Sequence, residues 1–135
     1  ELNFGMKRFS HTQEWQERIL TETPLGSKLD TSLMYLSGGE QKLIQLICML
    51  SLEIPFLLLD EPFNFLDPSS QNILKHLLKT YAEEHQSIVI ISSHNIQHTI
   101  DISQRILLLE KGHIIKDLDN HNERVEVELQ KYFDS

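Results

Sequence analysis

Apolar positions recur along this chain in two rhythms, one helical and one extended, and they alternate. Between His11 and Leu20, Trp15, Arg18 and Ile19 sit at helical spacing with polar residues between them, and Ser10 or Thr12 is placed to cap. Thr23-Pro24-Leu25-Gly26-Ser27 breaks that helix, and the stretch to Tyr35 reads as a loop or short helical piece. Glu40 to Leu52 is apolar nearly all round (Leu43, Ile44, Leu46, Ile47, Met49, Leu50), which predicts a buried helix ended by Ile54-Pro55. Phe56 to Leu59 is a continuous apolar run closed by Asp60-Glu61-Pro62. Such a run predicts a central parallel strand covered by helices on both faces.

The second half repeats the alternation. Asp67-Pro68 supplies a cap and a first-turn proline for a helix whose inward stripe is Ile73, Leu74, Leu77, Leu78 and Tyr81. Ser87 to Ser92, rich in β-branched residues, predicts a second buried strand. A short helix, a strand at Arg105–Leu109, a tight turn at Lys111-Gly112 and a strand at His113–Ile115 follow; the last pair reads as a hairpin. A weakly amphipathic helix near Val125 to Tyr132 lies in a polar tail. Helix and strand in this order predict an α/β fold with a largely parallel sheet.

Composition narrows the classes. With 135 residues and 40% apolar content the chain suits a single domain with one core, and 24% charged residues is ordinary for a globular protein. A formal charge of -8 argues against a broad nucleic-acid face, so no nucleic-acid partner is expected. The one cysteine, Cys48, has no internal partner, which fits a reducing compartment. The longest apolar stretches are too short to cross a bilayer, and residues 1–10 lack the apolar region of a signal peptide. Any membrane role is expected to come through a partner.

Four short segments carry chemistry. Leu36-Ser37-Gly38-Gly39-Glu40-Gln41 opens a helix: the glycines let backbone approach an anion, and the helix offers free N–H groups and its positive dipole end. Ser37 could equally be a plain helix cap. Asp60 and Glu61 end an apolar strand, where open α/β sheets place ligand chemistry, and adjacent strand residues point to opposite sides, so the two carboxylates can take different tasks. Asp67 is a good N-cap in its own right. His94, after Ile91-Ser92-Ser93, closes the second strand; it could aim at phosphate oxygens or merely be a hydrogen-bonded strand end. His94 and His98 are spaced like zinc ligands, but Asn95-Ile96-Gln97 lacks the glutamate of the zinc-protease motif and no third ligand is evident.

Together these segments resemble the motifs of the ABC-type ATPases, the nucleotide-binding domains of ABC transporters. Leu36-Ser37-Gly38-Gly39-Glu40-Gln41 is similar to the signature, Phe56 to Pro62 to the Walker B strand with its glutamate, Phe65-Leu66-Asp67 to the D-loop, and Ile91-Ser92-Ser93-His94 to the switch-histidine loop. The resemblance implies the C-terminal half of a P-loop NTPase-like core with a mostly parallel sheet. In that scheme 1–52 is part of the helical signature subdomain, 53–118 the Walker B to switch-histidine core, and 119–135 a tail.

The resemblance also implies roles. Asp60 would hold Mg²⁺ through water, Glu61 would polarise the water that attacks the γ-phosphate of ATP, and His94 would sense that phosphate. Ser37, Gly38, Gly39 and Glu40 would grip ATP bound to the opposite subunit, with Asp67 reaching across the dimer. The implied partners are a second ABC ATPase subunit and a membrane-spanning transporter subunit or domain, at the cytoplasmic face of the membrane. Alternatives are a soluble ABC ATPase of translation or DNA maintenance, and an inactive dimerisation module.

Some positions depart from the pattern. No Gly-x-x-x-x-Gly-Lys-Ser/Thr segment occurs, so the phosphate loop is expected to lie outside this chain, and the chain by itself to bind ATP weakly, turn none over and expose a bare sheet edge. Lys42-Leu43-Ile44 replaces a more usual basic run, and Phe63-Asn64-Phe65 is bulkier than the common small residues. Neither departure is expected to touch a residue with an implied role.

Overall fold

The computed structural model describes residues 21, 26–27, 32–52, 54–121 and 124–133. The helix expected at His11 to Leu20 lies outside them. After a 3-10 turn at Leu33–Tyr35 the elements are α1 (Gly38–Leu50), β1 (Phe56–Asp60), α2 (Pro68–Glu84), β2 (Ile88–Ser92), α3 (Ile96–Ile102), β3 (Arg105–Glu110), β4 (His113–Asp119) and α4 (Val125–Phe133). The chain forms an α/β fold divided into two compact units, one of residues up to Leu59 with Phe63–Ile90, the other of Asp60–Pro62 with Ile91 onward.

The first unit is built on α1 and α2. Leu43, Ile44, Leu46, Ile47 and Leu50 of α1 are buried, as are Leu74, Leu77, Leu78 and Tyr81 of α2. Each such side chain contributes roughly 2 kcal/mol by leaving water. Tyr81 is fully buried and its hydroxyl donates to the Ile54 carbonyl at 2.9 Å, which ties the end of α2 to the entrance of β1. A left-handed Gln86 (φ 49°) terminates α2, with Ser87 N–H returning to the Ala82 carbonyl at 3.1 Å. That closure usually uses glycine at the left-handed position.

β1 and β2 are hydrogen-bonded neighbours in a two-stranded sheet. Ile88 N–H donates to the Pro55 carbonyl (3.0 Å) where the pair begins, and the Ser92 hydroxyl donates to the Asp60 carboxylate where it ends, so the strands run in the same direction. The sequence leaves open whether the two strands are neighbours or are separated by a further strand, and the structure makes them neighbours. The expected burial of β1 on both faces is not found: Leu57 and Leu59 are buried, whereas Phe56 and Leu58 are 53% and 67% exposed. Alternate side chains of a strand point to opposite faces, and only one set is buried. Ile88 and Ile90 of β2 are also exposed, so a whole apolar sheet face, and not just an edge, is presented outward among the described residues.

The second unit holds the β3–β4 hairpin. Lys111 (φ 49°) and Gly112 (φ 81°) form the two-residue turn, both left-handed as a type I′ turn requires. The ladder pairs Arg105 with Asp119 and Leu108 with Lys116, then slips at Leu109, which pairs with Ile114 and leaves Ile115 as a bulge. β4 therefore runs four residues beyond the expected His113–Ile115. The polar stretch is strand because Arg105 forks across to Asp117, with Nε–Oδ1 at 2.8 Å and Nη2–Oδ2 at 2.6 Å. The hairpin forms its own sheet, with no ladder to β1 or β2. Ile106, Val125 and Leu129 form its core, with Ile96, Ile100, Leu108 and Leu118 packed around them. Lys116 joins hairpin to α4 through Glu128 at 2.9 Å, and that bond raises the Lys116 pKa.

Candidate functional site

One cluster of the expected residues lies in the second unit, where β1 and β2 end. Asp60 is the last residue of β1, and Glu61 follows it with a left-handed backbone (φ 44°), an uncommon conformation for a residue with a side chain. The turn at Glu61 takes its side chain to His94, two residues past the end of β2: Glu61 Oε1 and His94 Nδ1 are 2.6 Å apart. The His94 side chain is 72% exposed and that of Glu61 30%, so the pair opens to solvent. Ser93 and Asn95 shape the loop around His94. The Ser93 hydroxyl accepts from Asn95 N–H at 3.1 Å, and the Asn95 side chain caps α3 by accepting from His98 N–H at 3.0 Å.

Ser92, to which no role was assigned from sequence, joins this cluster. Its hydroxyl donates to Asp60 Oδ1 and accepts the Glu61 N–H at 3.0 Å. The available signal is its place two residues before His94 at the end of the second expected strand. Register across the sheet, which would have paired it with Asp60, is not written in either strand alone.

The other expected residues belong to the first unit, at the starts of α1 and α2. Ser37 caps α1 in a reciprocal box: its hydroxyl accepts from Glu40 N–H at 3.2 Å, and Glu40 Oε2 accepts from Ser37 N–H at 2.8 Å. A Cβ on Gly38 would meet nothing within 4 Å, whereas one on Gly39 would sit 3.0 Å from the Phe65 carbonyl oxygen. Lys42 donates to the Asn64 carbonyl at 3.0 Å and lies 5.9 Å from the Phe65 ring centroid. The Lys42 and Phe63-Asn64-Phe65 departures therefore do reach the signature-like segment, through Gly39, because α1 packs against the loop before α2. Phe65 is left-handed (φ 67°) and 91% exposed.

Asp67 is fully engaged as a cap. Its Oδ1 accepts from Ser69 and Ser70 N–H at 3.0 and 3.1 Å, and its Oδ2 accepts from the Ser70 hydroxyl at 2.5 Å. The Ser70 hydroxyl bond, aided by the backbone N–H bonds, holds the Asp67 carboxyl below the usual carboxylate range.

Oxygen ligands suit Mg²⁺, which usually takes one or two protein carboxylates and completes its shell with water and phosphate. Asp60 fits that habit: Oδ1 is occupied by Ser92 while the carboxylate as a whole is exposed. Among the described residues no three His, Cys, Asp or Glu side chains gather into an all-protein cage. The carboxyl ends of neighbouring parallel strands, where Asp60 and Ser92 lie, are where open α/β sheets bind their ligands.

Comparison with known proteins bears on the family. Residues 4–101 match the family model described as "AAA domain, putative AbiEii toxin, Type IV TA system". The chain is 34% identical to the aliphatic sulfonates import ATP-binding protein SsuB 2 of Rhizobium johnstonii, over 78% of this chain and 43% of the relative. It is 35% identical to the tyrosine transport ATP-binding protein of Clostridioides difficile, over 93% of this chain and 52% of that one. Among solved structures, the ATP binding subunit of an ABC transporter shares the fold over 99% of this chain and 60% of its own, with TM-score 0.74 at 19% identity. A dimeric ATP-binding cassette in a post-hydrolysis state with ADP and Pi matches 67% of this chain and 39% of its own, with TM-score 0.58 at 25% identity. The chain belongs to the AAA-domain family, and the relatives it resembles are ABC transporter ATP-binding proteins. It spans about half the length of the curated relatives it matches.

Proposed function

We propose that the full-length protein binds and hydrolyses ATP as the motor subunit of an ABC transporter. It would work as a dimer with a second such subunit, beneath a membrane-spanning partner at the cytoplasmic face. The observation that carries this is the 2.6 Å pair of Glu61 and His94 at the ends of two parallel strands, beside the Asp60 carboxylate. Relatives named for sulfonate import and for tyrosine transport support a transport setting. No helix among the described residues is long and apolar enough to cross a membrane.

The geometry suits division of labour. Glu61 presents a carboxylate at the open end of the sheet, where it would orient and polarise a water for in-line attack on the γ-phosphate. His94 uses Nδ1 on Glu61 and so keeps Nε2 for a phosphate oxygen. Asp60 would hold Mg²⁺, which supplies positive charge to the phosphate oxygens when bound. Ser37, Gly38, Gly39 and Glu40, at the positive end of α1, would grip the γ-phosphate of ATP seated on the other subunit. Asp67 would approach that subunit from the start of α2.

Two variants of the full-length protein separate these roles. Glu61→Gln keeps the shape and the acceptor but loses the charge, so hydrolysis is expected to fall by roughly 10² or more while ATP binding survives. The ATP-dependent dimer should then outlast that of wild type. Ser37→Arg should fill the cradle and abolish the dimer with monomeric nucleotide binding intact. Near wild-type hydrolysis by Glu61→Gln, or normal ATP-dependent dimers from Ser37→Arg, would remove these assignments.

A further inference from the structure

We propose that Ser92 is a positioning residue that sets the two neighbouring carboxyl-bearing residues of the site, Asp60 and Glu61, with one hydroxyl group. The proposal rests on the ATPase reading for its kinetic consequence, but not for its structural one.

The geometry leaves the Ser92 hydroxyl a single arrangement. It has one proton, and that proton goes to Asp60 Oδ1. Its oxygen accepts the Glu61 N–H at 3.0 Å. Both bonds span the sheet, from residues 31 and 32 positions away in sequence, so neither is a by-product of a local turn. Each has a separate effect. The first pins one oxygen of Asp60, which fixes the carboxylate's rotation and leaves Oδ2 for other ligands. The second holds the backbone of Glu61, whose left-handed conformation (φ 44°) is unfavourable for a residue with a Cβ and persists only where surroundings enforce it.

That conformation is what sends Glu61 sideways to His94. Were Glu61 to relax toward extended backbone, strand alternation would turn its side chain to the opposite face from Asp60's, and the 2.6 Å contact with His94 would be lost. Ser92 therefore acts on both carboxylates at once, through Asp60's side chain and through Glu61's main chain, while touching neither the Glu61 carboxylate nor His94. Because Ser92 is itself exposed, removing its hydroxyl opens no cavity in the core.

The test compares Ser92→Ala with Ser92→Thr in the full-length protein, by site-resolved amide exchange and by steady-state ATP hydrolysis. Threonine retains the hydroxyl and suits a strand. In Ser92→Ala the Glu61 amide should exchange at least about tenfold faster, while the Ile88 and Ile90 amides keep wild-type rates. Its kcat should fall about tenfold with KM within about twofold, because orientation is lost and nucleotide contacts are not. Ser92→Thr should lie within about threefold of wild type in both measurements. Wild-type Glu61 exchange in Ser92→Ala overturns the proposal, as does a folded Ser92→Thr as impaired as Ser92→Ala. Should the wild-type protein hydrolyse no ATP, the ATPase reading alone fails, and the Glu61 amide still decides the role of Ser92.

Discussion

The caps of α1 and α2 and the strand-end cluster are held by bonds of opposite kinds. At the caps, Ser37, Glu40 and Asp67 bond to partners two or three residues away. At the strand ends, Asp60, Glu61, Ser92 and His94 bond across 31 to 33 residues. A cap forms as soon as its helix does, and its polar side chains are already satisfied by their own backbone. The strand-end carboxylates meet their partners only when the sheet is assembled, and they remain open to solvent. Substitutions at the caps are therefore expected to disturb local helix bonds, and those at the strand ends bonds that cross the sheet.

The strongest challenge to this contrast is Gly39, a cap-region position where an added Cβ would meet a distant element. Gly39→Ala is expected to cost about 2 kcal/mol more than Gly38→Ala, because only its Cβ would push on the Phe65 carbonyl 3.0 Å away. Equal unfolding midpoints for the two variants would show that the loop yields and the contact is soft. Next is Tyr81→Phe, which removes the long-range bond to the Ile54 carbonyl while keeping the packing. A loss of about 1 kcal/mol is expected in denaturant unfolding. No change would mean that the first unit is held by its helices alone.

A gain follows at Gln86, whose left-handed backbone closes α2 without help from glycine. Gln86→Gly is expected to stabilise by about 0.5 kcal/mol, read as a rise in melting temperature. A drop would mean that the Gln86 side chain contributes more than its strain. The smallest effect is acid sensitivity at Asp67. Its folded-state pKa is depressed, chiefly by the Ser70 hydroxyl bond, so its contribution is complete above the ordinary Asp pKa and is lost as pH falls through the lower, folded-state value. Asp67→Asn keeps a capping side chain that cannot titrate. The stability gap between wild type and Asp67→Asn should narrow across that acid window, and a gap constant with pH would contradict the shift.

The same difference explains what could be read in advance. The strands at Phe56–Leu59 and Ser87–Ser92, the cap at Asp67-Pro68 and the Lys111-Gly112 turn were legible because each depends on residues adjacent in sequence. The length of β4 was not, because Asp117 looks like a tail residue until Arg105 grips it from across the ladder. Nor was the exposure of Phe56 and Leu58: an apolar run states that both faces of a strand tolerate burial, not which face is covered. In the candidate site, Asp60, Glu61 and His94 were recognisable from their segments, and the structure brings these three together. Ser92 was invisible because its importance lies in register. In sequence Lys42 is only a departure from the pattern, whereas in the fold it links α1 to the loop before Asp67.

The left-handed Lys111-Gly112 turn also bears on the order of events as the chain folds. The β3–β4 hairpin closes over two residues, and such hairpins form within roughly 1–10 μs. The β1–β2 pair must wait for α2 to bridge its strands, and closing longer loops slows folding. The hairpin is thus expected to be native while Asp60 and Ser92 are still apart. In a stopped-flow experiment its amides should gain exchange protection ahead of those of β1, and simultaneous protection would show that the two sheets form in one step.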